Sequence, residues 1–237
     1  MKVLLIGTGR MGCALEKVLA DSGHEVVARV GRTGDERGRT IADALAATQP
    51  EAALEFTTPA SACANVLAAI RRGIPIVSGT TGWDTAPAVQ LADQSGVPVL
   101  IASNFSIGIA VLQSIVAAAA HRLQPFADFE PGIIERHHRA KKDAPSGTAK
   151  SIRERIVAAG RWSQVPTVSL RQGGQPGEHT VYFEGAGECL TITHQVRDRS
   201  VFAVGAVRAA EWLVRERPRG FVTFDTFLER TELCLAH

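Results

Sequence analysis

Short apolar runs separated by amphipathic stretches fill the first hundred residues. Val3–Ile6 is an unbroken apolar run, the pattern of a strand buried on both faces. Ala14, Leu15, Val18 and Leu19 then recur at helical spacing, and Gly23 stops that helix. Glu25–Val30 reads as a second strand, Thr40–Ala47 as a short helix and Ala52–Thr57 as a third strand. Pro59 suits the first turn of the next helix, which Gly73 ends. Ile74–Ser78 predicts a strand, Thr85–Gln94 a helix and Val97–Ala102 a strand. This alternation of strand and helix predicts an α/β fold with a parallel, doubly wound sheet.

The pattern changes after Gly108. A long Ala-rich helix over Ile109–Leu123 precedes a strand over Phe129–Glu135, and a further helix covers Thr148–Ala159. Val168–Arg171, His179–Phe183 and Cys189–His194 then read as short strands between Gly-rich turns. A helix followed by meandering strands predicts an α+β domain with a mixed or antiparallel sheet. Ala203–Arg215 is helical again, and Pro218–His237 reads as a short tail. The organisation expected is one domain over 1–107, a second over 108–202 and a return of 203–237 to the first.

Composition narrows the function only by exclusion. The 237 residues are 45% apolar and 21% charged, with net charge +2, which is ordinary globular composition and not that of a nucleic-acid binder. Cys13, Cys63, Cys189 and Cys234 are scattered, with no CxxC or Cys/His metal spacing, so reduced thiols in a cytoplasmic protein and no metal are expected. The N-terminal apolar stretch is too short for a signal peptide, and nothing approaches the roughly 20 apolar residues of a membrane span.

Chemistry begins with Gly7, Gly9 and Gly12, which form GxGxxG between a predicted strand and a predicted helix. The first glycine permits the tight turn, the second lets backbone approach a pyrophosphate, and the third allows close helix–strand packing. The helix N-terminus adds unpaired N–H groups and a favourable dipole. This is the Rossmann fingerprint, with Arg10 and Met11 inside its loop. An acid at the end of the second strand would accept hydrogen bonds from a ribose diol, but Val30-Gly31-Arg32-Thr33 has none. Arg32 and Arg10 could grip a 2′-phosphate, or Asp35 or Glu36 could swing back to the ribose. NADPH is therefore expected to serve at least as well as NADH. Gly79, Thr80 and Thr81 follow the fourth strand at the edge where such sheets bind ligand, and Ser103 and Phe105 follow the fifth. Phe105 either walls a nicotinamide pocket or is a core aromatic at a hinge.

The densest chemistry lies between Glu135 and Ala149. Arg136, Arg139, Lys141 and Lys142 surround His137 and His138, and Ser146-Gly147-Thr148 opens a helix. If residues 133–138 are extended, the two imidazoles point to opposite faces. Histidine suits proton donation near neutral pH. Ser146, Gly147 and Thr148 offer hydroxyls and backbone N–H groups at a helix start, a carboxylate site by the physics that makes phosphate sites, while Ser146 also serves as an N-cap. The groove expected holds a small, multiply anionic molecule.

The run His137-His138-Arg139-Ala140-Lys141-Lys142-Asp143-Ala144-Pro145-Ser146-Gly147-Thr148-Ala149 resembles the HHxxKxDAPSGTA signature of the 4-hydroxy-tetrahydrodipicolinate reductase family. GTGRMG at 7–12, EFTTP at 55–59, SGTTGW at 78–83 and SNFSIG at 103–108 are also similar to family strings and stand in the family's order. The resemblance implies reduction of a cyclic dicarboxylate by NAD(P)H, with domain closure bringing donor to acceptor. It implies His137 as general acid/base and His138 as a contact to a substrate carboxylate. Lys141 would assist proton transfer or hold substrate, and Ser146, Gly147, Thr148 and Arg199 would clamp carboxylates. Arg197 competes with Arg199 for that role. Gly79 and Thr81 would hold the nicotinamide amide. A homotetramer assembled through the second-domain sheet is implied too. The segment Val30–Ile41 is short for the family. His24, His121, His179 and His237 carry no motif and are expected to be surface or partly buried residues, and His194, ending a strand of the second domain, could be interfacial. A reductase of another imino acid and a non-catalytic coenzyme sensor are the rival readings; the complete signature, His137 and Lys141 included, disfavours both.

Overall fold

The computed structural model describes residues 1–235, with side chains to Thr231. His237 and the Cys234 side chain lie outside the described residues. The first half of the chain runs β1 (Lys2–Ile6), α1 (Arg10–Asp21), β2 (Glu25–Val30), α2 (Ile41–Thr48), β3 (Ala52–Glu55), α3 (Pro59–Arg71), β4 (Ile76–Ser78), α4 (Ala86–Ser95) and β5 (Val99–Ile101). Then come α5 (Ile107–Leu123), β6 (Glu130–His137), α6 (Gly147–Ala159), β7 (Thr167–Arg171), β8 (Gly177–Glu184) and β9 (Cys189–Val196). The chain closes with α7 (Ser200–Glu216), β10 (Phe221–Val222) and α8 (Phe224–Leu235). Contacts divide it into two compact units. Unit 1 is Met1–Phe105 together with the segment from Ser200 onward, and unit 2 is Ser106–Arg199.

Unit 1 is a six-stranded parallel sheet in the order β10-β5-β4-β3-β1-β2. Strand order reverses beside β1, so the C-terminal ends of β1 and β3 flank the topological switch point. Val3, Leu4, Leu5 and Ile6 are at most 1% exposed, as a strand covered by helices on both faces demands. Leu4 and Ile6 join Val30, Leu45, Val66, Ile76 and Val99 in one core cluster, and each large side chain there contributes roughly 1.5–3 kcal/mol by burial. Thr40 caps α2 by accepting from the Asp43 amide, and Gly23 leaves α1 with φ +72°, a conformation only glycine adopts cheaply.

Unit 2 pairs a four-stranded sheet, β7-β6-β8-β9, with α5 and α6. The β6–β7 pair is parallel and the others antiparallel, so the sheet is mixed. Leu112, Val116, Ile152 and Ile156 of the helices pack on Ile133, Val181 and Phe183 of the strands. By alternation Val168 and Leu170 of β7 lie on the other face, and both are exposed.

One stretch departs from the expected elements. Pro218–His237 is not a plain tail: it supplies the edge strand β10 and the helix α8. Phe224 and Phe227 recur at helical spacing and pack edge-on against Phe105 and Trp212 respectively, so tertiary aromatic contact fixes a helix too short to stand alone. No helix among the described residues is long and apolar enough to cross a membrane.

Candidate active site

In unit 1 the glycine loop is built as its sequence requires. Gly7 has φ +112°, and a Cβ there would lie 2.1 Å from the Phe56 carbonyl oxygen. A Cβ on Gly12 would lie 2.1 Å from the Gly7 carbonyl oxygen. A Cβ on Gly9 would meet nothing within 4 Å. Gly9 is the N-cap of α1 and supplies no side-chain cap, so open space lies where the first helical amides need a partner. Arg10 is exposed and Met11 partly buried.

Beyond β2 the chain makes a self-contained loop. Asp35 Oδ1 accepts from the Arg37 and Arg39 amides at 2.9 and 2.8 Å, and Oδ2 from Arg39 Nε at 2.7 Å. The Arg39 guanidinium holds the Asp35 carboxyl below its ordinary value. Both Asp35 oxygens are thus engaged within the loop, whereas Arg32 is exposed. A groove of about 810 Å³ runs past Thr8, Arg29, Gly31, Arg32 and Asp35.

The loops after β3 and β4 are tied by Glu55, which is fully buried. Its carboxyl accepts from Ser78 Oγ at 2.5 Å, Thr80 Oγ1 at 3.0 Å and the Thr57 amide at 3.1 Å, and also from the Thr57 hydroxyl. Thr80 is buried, Thr81 and Ser103 are exposed, and Gly79 lies against the Phe56 ring, where a Cβ would come within 2.0 Å. Phe105 is 2% exposed, its ring between Phe56 and Phe224.

In unit 2 the alternation of β6 puts Glu135 and His137 on one face and both are buried. Register with β8 and β7 brings His179 and Ser169 opposite Glu135, and Arg171 opposite His137. Glu135 Oε1 accepts from Ser169 Oγ at 2.7 Å, Arg171 Nη2 at 2.7 Å and the Ser146 amide at 3.0 Å. His137 Nδ1 and His179 Nε2 each stand 3.5 Å from Oε2. Burial would raise the Glu135 carboxyl, but donors on His179, Ser146, Arg171 and Ser169 outweigh it and hold it well below the carboxylate range. Burial, and then the neighbouring His179, lower His137 to about 4 despite Glu135.

Ser146 caps α6 by accepting from the Ala149 amide at 3.1 Å, and its hydroxyl lies 3.2 Å from His179 Nε2. Gly147 has open space around it, and Thr148 is partly buried at the same helix start. Lys141 pairs with Asp143 at 2.8 Å and is turned back by a bond from its amide to the His138 carbonyl. His138, just past the strand, is partly buried, and Lys142 is exposed. Arg197 and Arg199 are both exposed in the segment between β9 and α7.

The structure therefore gathers His137, Ser146 and the α6 N-terminus around one carboxylate. Glu135, Arg171 and Ser169 had no role in the sequence reading, and His179 entered it only as a histidine without a motif. Glu135 was visible as the residue two before His137 on a strand; the other three arrive only through register. His179, expected at the surface or partly buried, is 3% exposed, because β8 is an inner strand. Glu135, His137 and His179 also hold their donor atoms within 4.8 Å of one another, a spacing that can take a metal ion. Arg171 already supplies the positive charge there.

A doubly wound sheet with a glycine loop in one unit, and a buried histidine with a Ser-Gly-Thr helix start in the other, go with a Rossmann-type oxidoreductase. Family models of the dihydrodipicolinate reductase N-terminus and C-terminus match residues 1–105 and 108–228. The chain belongs to the dihydrodipicolinate reductase family. It is 34% identical to a 4-hydroxy-tetrahydrodipicolinate reductase of Archaeoglobus fulgidus over 97% of this chain and 100% of that one. It is 38% identical to the enzyme of that name from Xanthomonas campestris pv. campestris, over 96% of this chain and 98% of the other. A dipicolinate-bound dihydrodipicolinate reductase from Paenisporosarcina sp. TG-14 superposes with TM-score 0.78 at 22% identity, covering 94% and 97% of the two chains. That likeness is one of fold.

Proposed function

We propose that this protein reduces 4-hydroxy-tetrahydrodipicolinate to tetrahydrodipicolinate with NAD(P)H, a step of diaminopimelate and lysine biosynthesis. The observation that carries the reading is the buried His137 set beside the Ser146-Gly147-Thr148 helix start. An acid and an anion site then share one corner of unit 2. Curated relatives of the same name, matched over nearly their whole length, support it.

The open space above Gly9 and the uncapped α1 N-terminus fit a dinucleotide pyrophosphate. Gly7, Gly9, Arg10, Met11 and Gly12 would hold it. Gly79, Thr80, Thr81, Ser103 and Phe105 would bound the nicotinamide end. Arg32 would meet the 2′-position, where Asp35 is committed to its own loop; NADPH is accordingly used at least as well as NADH. What the coenzyme supplies when bound is a hydride, two electrons and one hydrogen, to an electron-poor ring carbon. Ser146, Gly147, Thr148, His138 and Arg199 clamp the two carboxylates and orient that carbon. His137 gives a proton from Nε2 to the adjacent ring position, with Lys141 beside it. The substrate loses water, and hydride plus proton complete the reduction.

The reading extends to assembly and place. Val168 and Leu170 on the uncovered sheet face of unit 2 favour a homotetramer joined through that sheet, which sedimentation would test. A cytoplasmic location fits a consumer of reduced coenzyme with the free thiols Cys13, Cys63 and Cys189. The decisive experiment follows NADPH or NADH oxidation by absorbance while a synthase generates the cyclic substrate. Substrate-dependent oxidation is expected; none with either coenzyme overturns the assignment.

A further inference from the structure

The Glu135 carboxylate is asymmetric in a way that packing alone does not require. Oε1 is saturated by three donors, one of them the Arg171 guanidinium. Oε2 has no hydrogen-bond partner, and neither has His137 Nδ1, although both are buried and 3.5 Å apart. Orphaned buried polar atoms are costly, so a proton on Nδ1 that draws the pair together is favoured over any other placement on that ring.

We propose that Glu135 is a positioning residue: its Oε2 holds the proton of His137 on Nδ1, so that the proton taken up when a dicarboxylate binds resides on Nε2. This deepens the proposed function and rests on it for the identity of the ligand. Nε2 is the nitrogen left for chemistry. It lies near Gly177, where a Cβ would stand 3.2 Å away and the ring would have to give by a few tenths of an ångström.

The groups facing His137 decide when it charges. Glu135 on β6 favours the imidazolium. His179 on β8, Arg171 on β7 and Lys141 in the following loop oppose it. Asp143 is paired with Lys141, His194 on β9 stands behind His179, and the first turn of α6 holds no acid. The two rings meet edge-on with centroids 5.1 Å apart, so both cannot carry charge cheaply. The Ser146 hydroxyl stands 3.2 Å from His179 Nε2. A doubly anionic ligand on Ser146–Thr148 reverses the local field, and His137 then takes one proton from solvent. Reduction moves that proton from Nε2 to the ring and leaves the Nδ1-protonated neutral imidazole, which Glu135 also favours. The same carboxylate anchors the Ser146 amide, so one side chain fixes the acid and the anion turn relative to each other.

The test uses the full-length protein and dipicolinate as probe. Calorimetry in two buffers of different ionisation enthalpy should show proton uptake on binding, hence tighter binding as pH falls. In Glu135→Gln the uptake should vanish, kcat should fall at least about 10-fold and its pH profile should shift, with NADPH affinity unchanged. Imidazole ¹⁵N shifts of wild-type His137 in the ligand-free protein near pH 7 need no variant to fold and should report a neutral ring protonated on Nδ1. An unprotonated Nδ1, or a folded Glu135→Gln with wild-type uptake and pH profile, overturns the proposal. A wild type that shows the Nδ1 proton yet does not turn over the hydroxylated substrate would defeat the proposed function and leave this inference standing.

Discussion

Glu55 at the end of β3 and Glu135 near the end of β6 are both fully buried, yet they are held in opposite ways. Four neutral donors from three residues engage both oxygens of Glu55, and no cation is among them. Glu135 has a guanidinium and two neutral donors on one oxygen and two imidazoles waiting at the other. The first arrangement is closed and staples two loops. The second is charged and incomplete, and the proton transfer proposed for His137 would need that incompleteness.

The comparison breaks most visibly at His137, the proposed acid. His137→Ala or Lys141→Ala should lower kcat about 10²–10⁴-fold, with coenzyme affinity nearly unchanged; steady-state kinetics and coenzyme titration check both. Arg171→Leu strips Glu135 of its cation and should cost about 3–5 kcal/mol in denaturant unfolding. Ser78→Ala removes one neutral donor from Glu55 and should cost about 1–3 kcal/mol; equal losses would erase the distinction. Arg199→Ala and Thr148→Val should raise the substrate KM, with Arg199 the larger effect, about 1.5–3 kcal/mol per lost charged hydrogen bond. A silent Arg199→Ala beside a damaging Arg197→Ala would transfer the role.

Two smaller effects sharpen the contrast. His137 is neutral in the folded protein down to about pH 4 but titrates near 6.5 when unfolded. The unfolded state therefore binds more protons between those values, and stability should fall as pH drops through that window. Thermal unfolding at pH 7 and pH 5 should show a smaller decline in His137→Gln; an unchanged decline would assign it to His194, which burial also lowers. Last, Arg32→Ala should shift the NADPH to NADH ratio of kcat/KM by no more than ~1 kcal/mol, because the residue is exposed.

Much of this was legible in the sequence because its signals are local. The GxGxxG turn, the helix started by Ser146 and the strand leading toward His137, read as Phe129–Glu135 and found as Glu130–His137, each lie within a few consecutive residues, where period and capping can be read directly. Glu135 was half legible: two residues from His137 on a strand means the same face, but nothing local says that face is dry. His179, Ser169 and Arg171 were not legible, since their meeting depends on which strands pair and in what register. Helix α8 was missed because its aromatic anchors find their partners outside it, in Phe105, far away in sequence, and in Trp212 of the preceding helix. The commitment of Asp35 to its own loop was hidden for a different reason: an Asp four residues before an Arg is common, and only the turn geometry makes it a closed ring.

Unit 1 leaves off at Phe105 and resumes at Ser200, and its two cut ends are neighbours. A Cβ on Gly205 in α7 would strike the Phe105 carbonyl oxygen at 1.8 Å, so the strand side and the returning helix are in backbone contact there. Topologically, unit 2 is a cassette spliced into a loop of the nucleotide fold. A splice whose ends already touch asks little of the host when its cargo is exchanged. The same scaffold could in this way carry other acceptor modules, with Gly205 marking the seam where any such graft must keep its glycine.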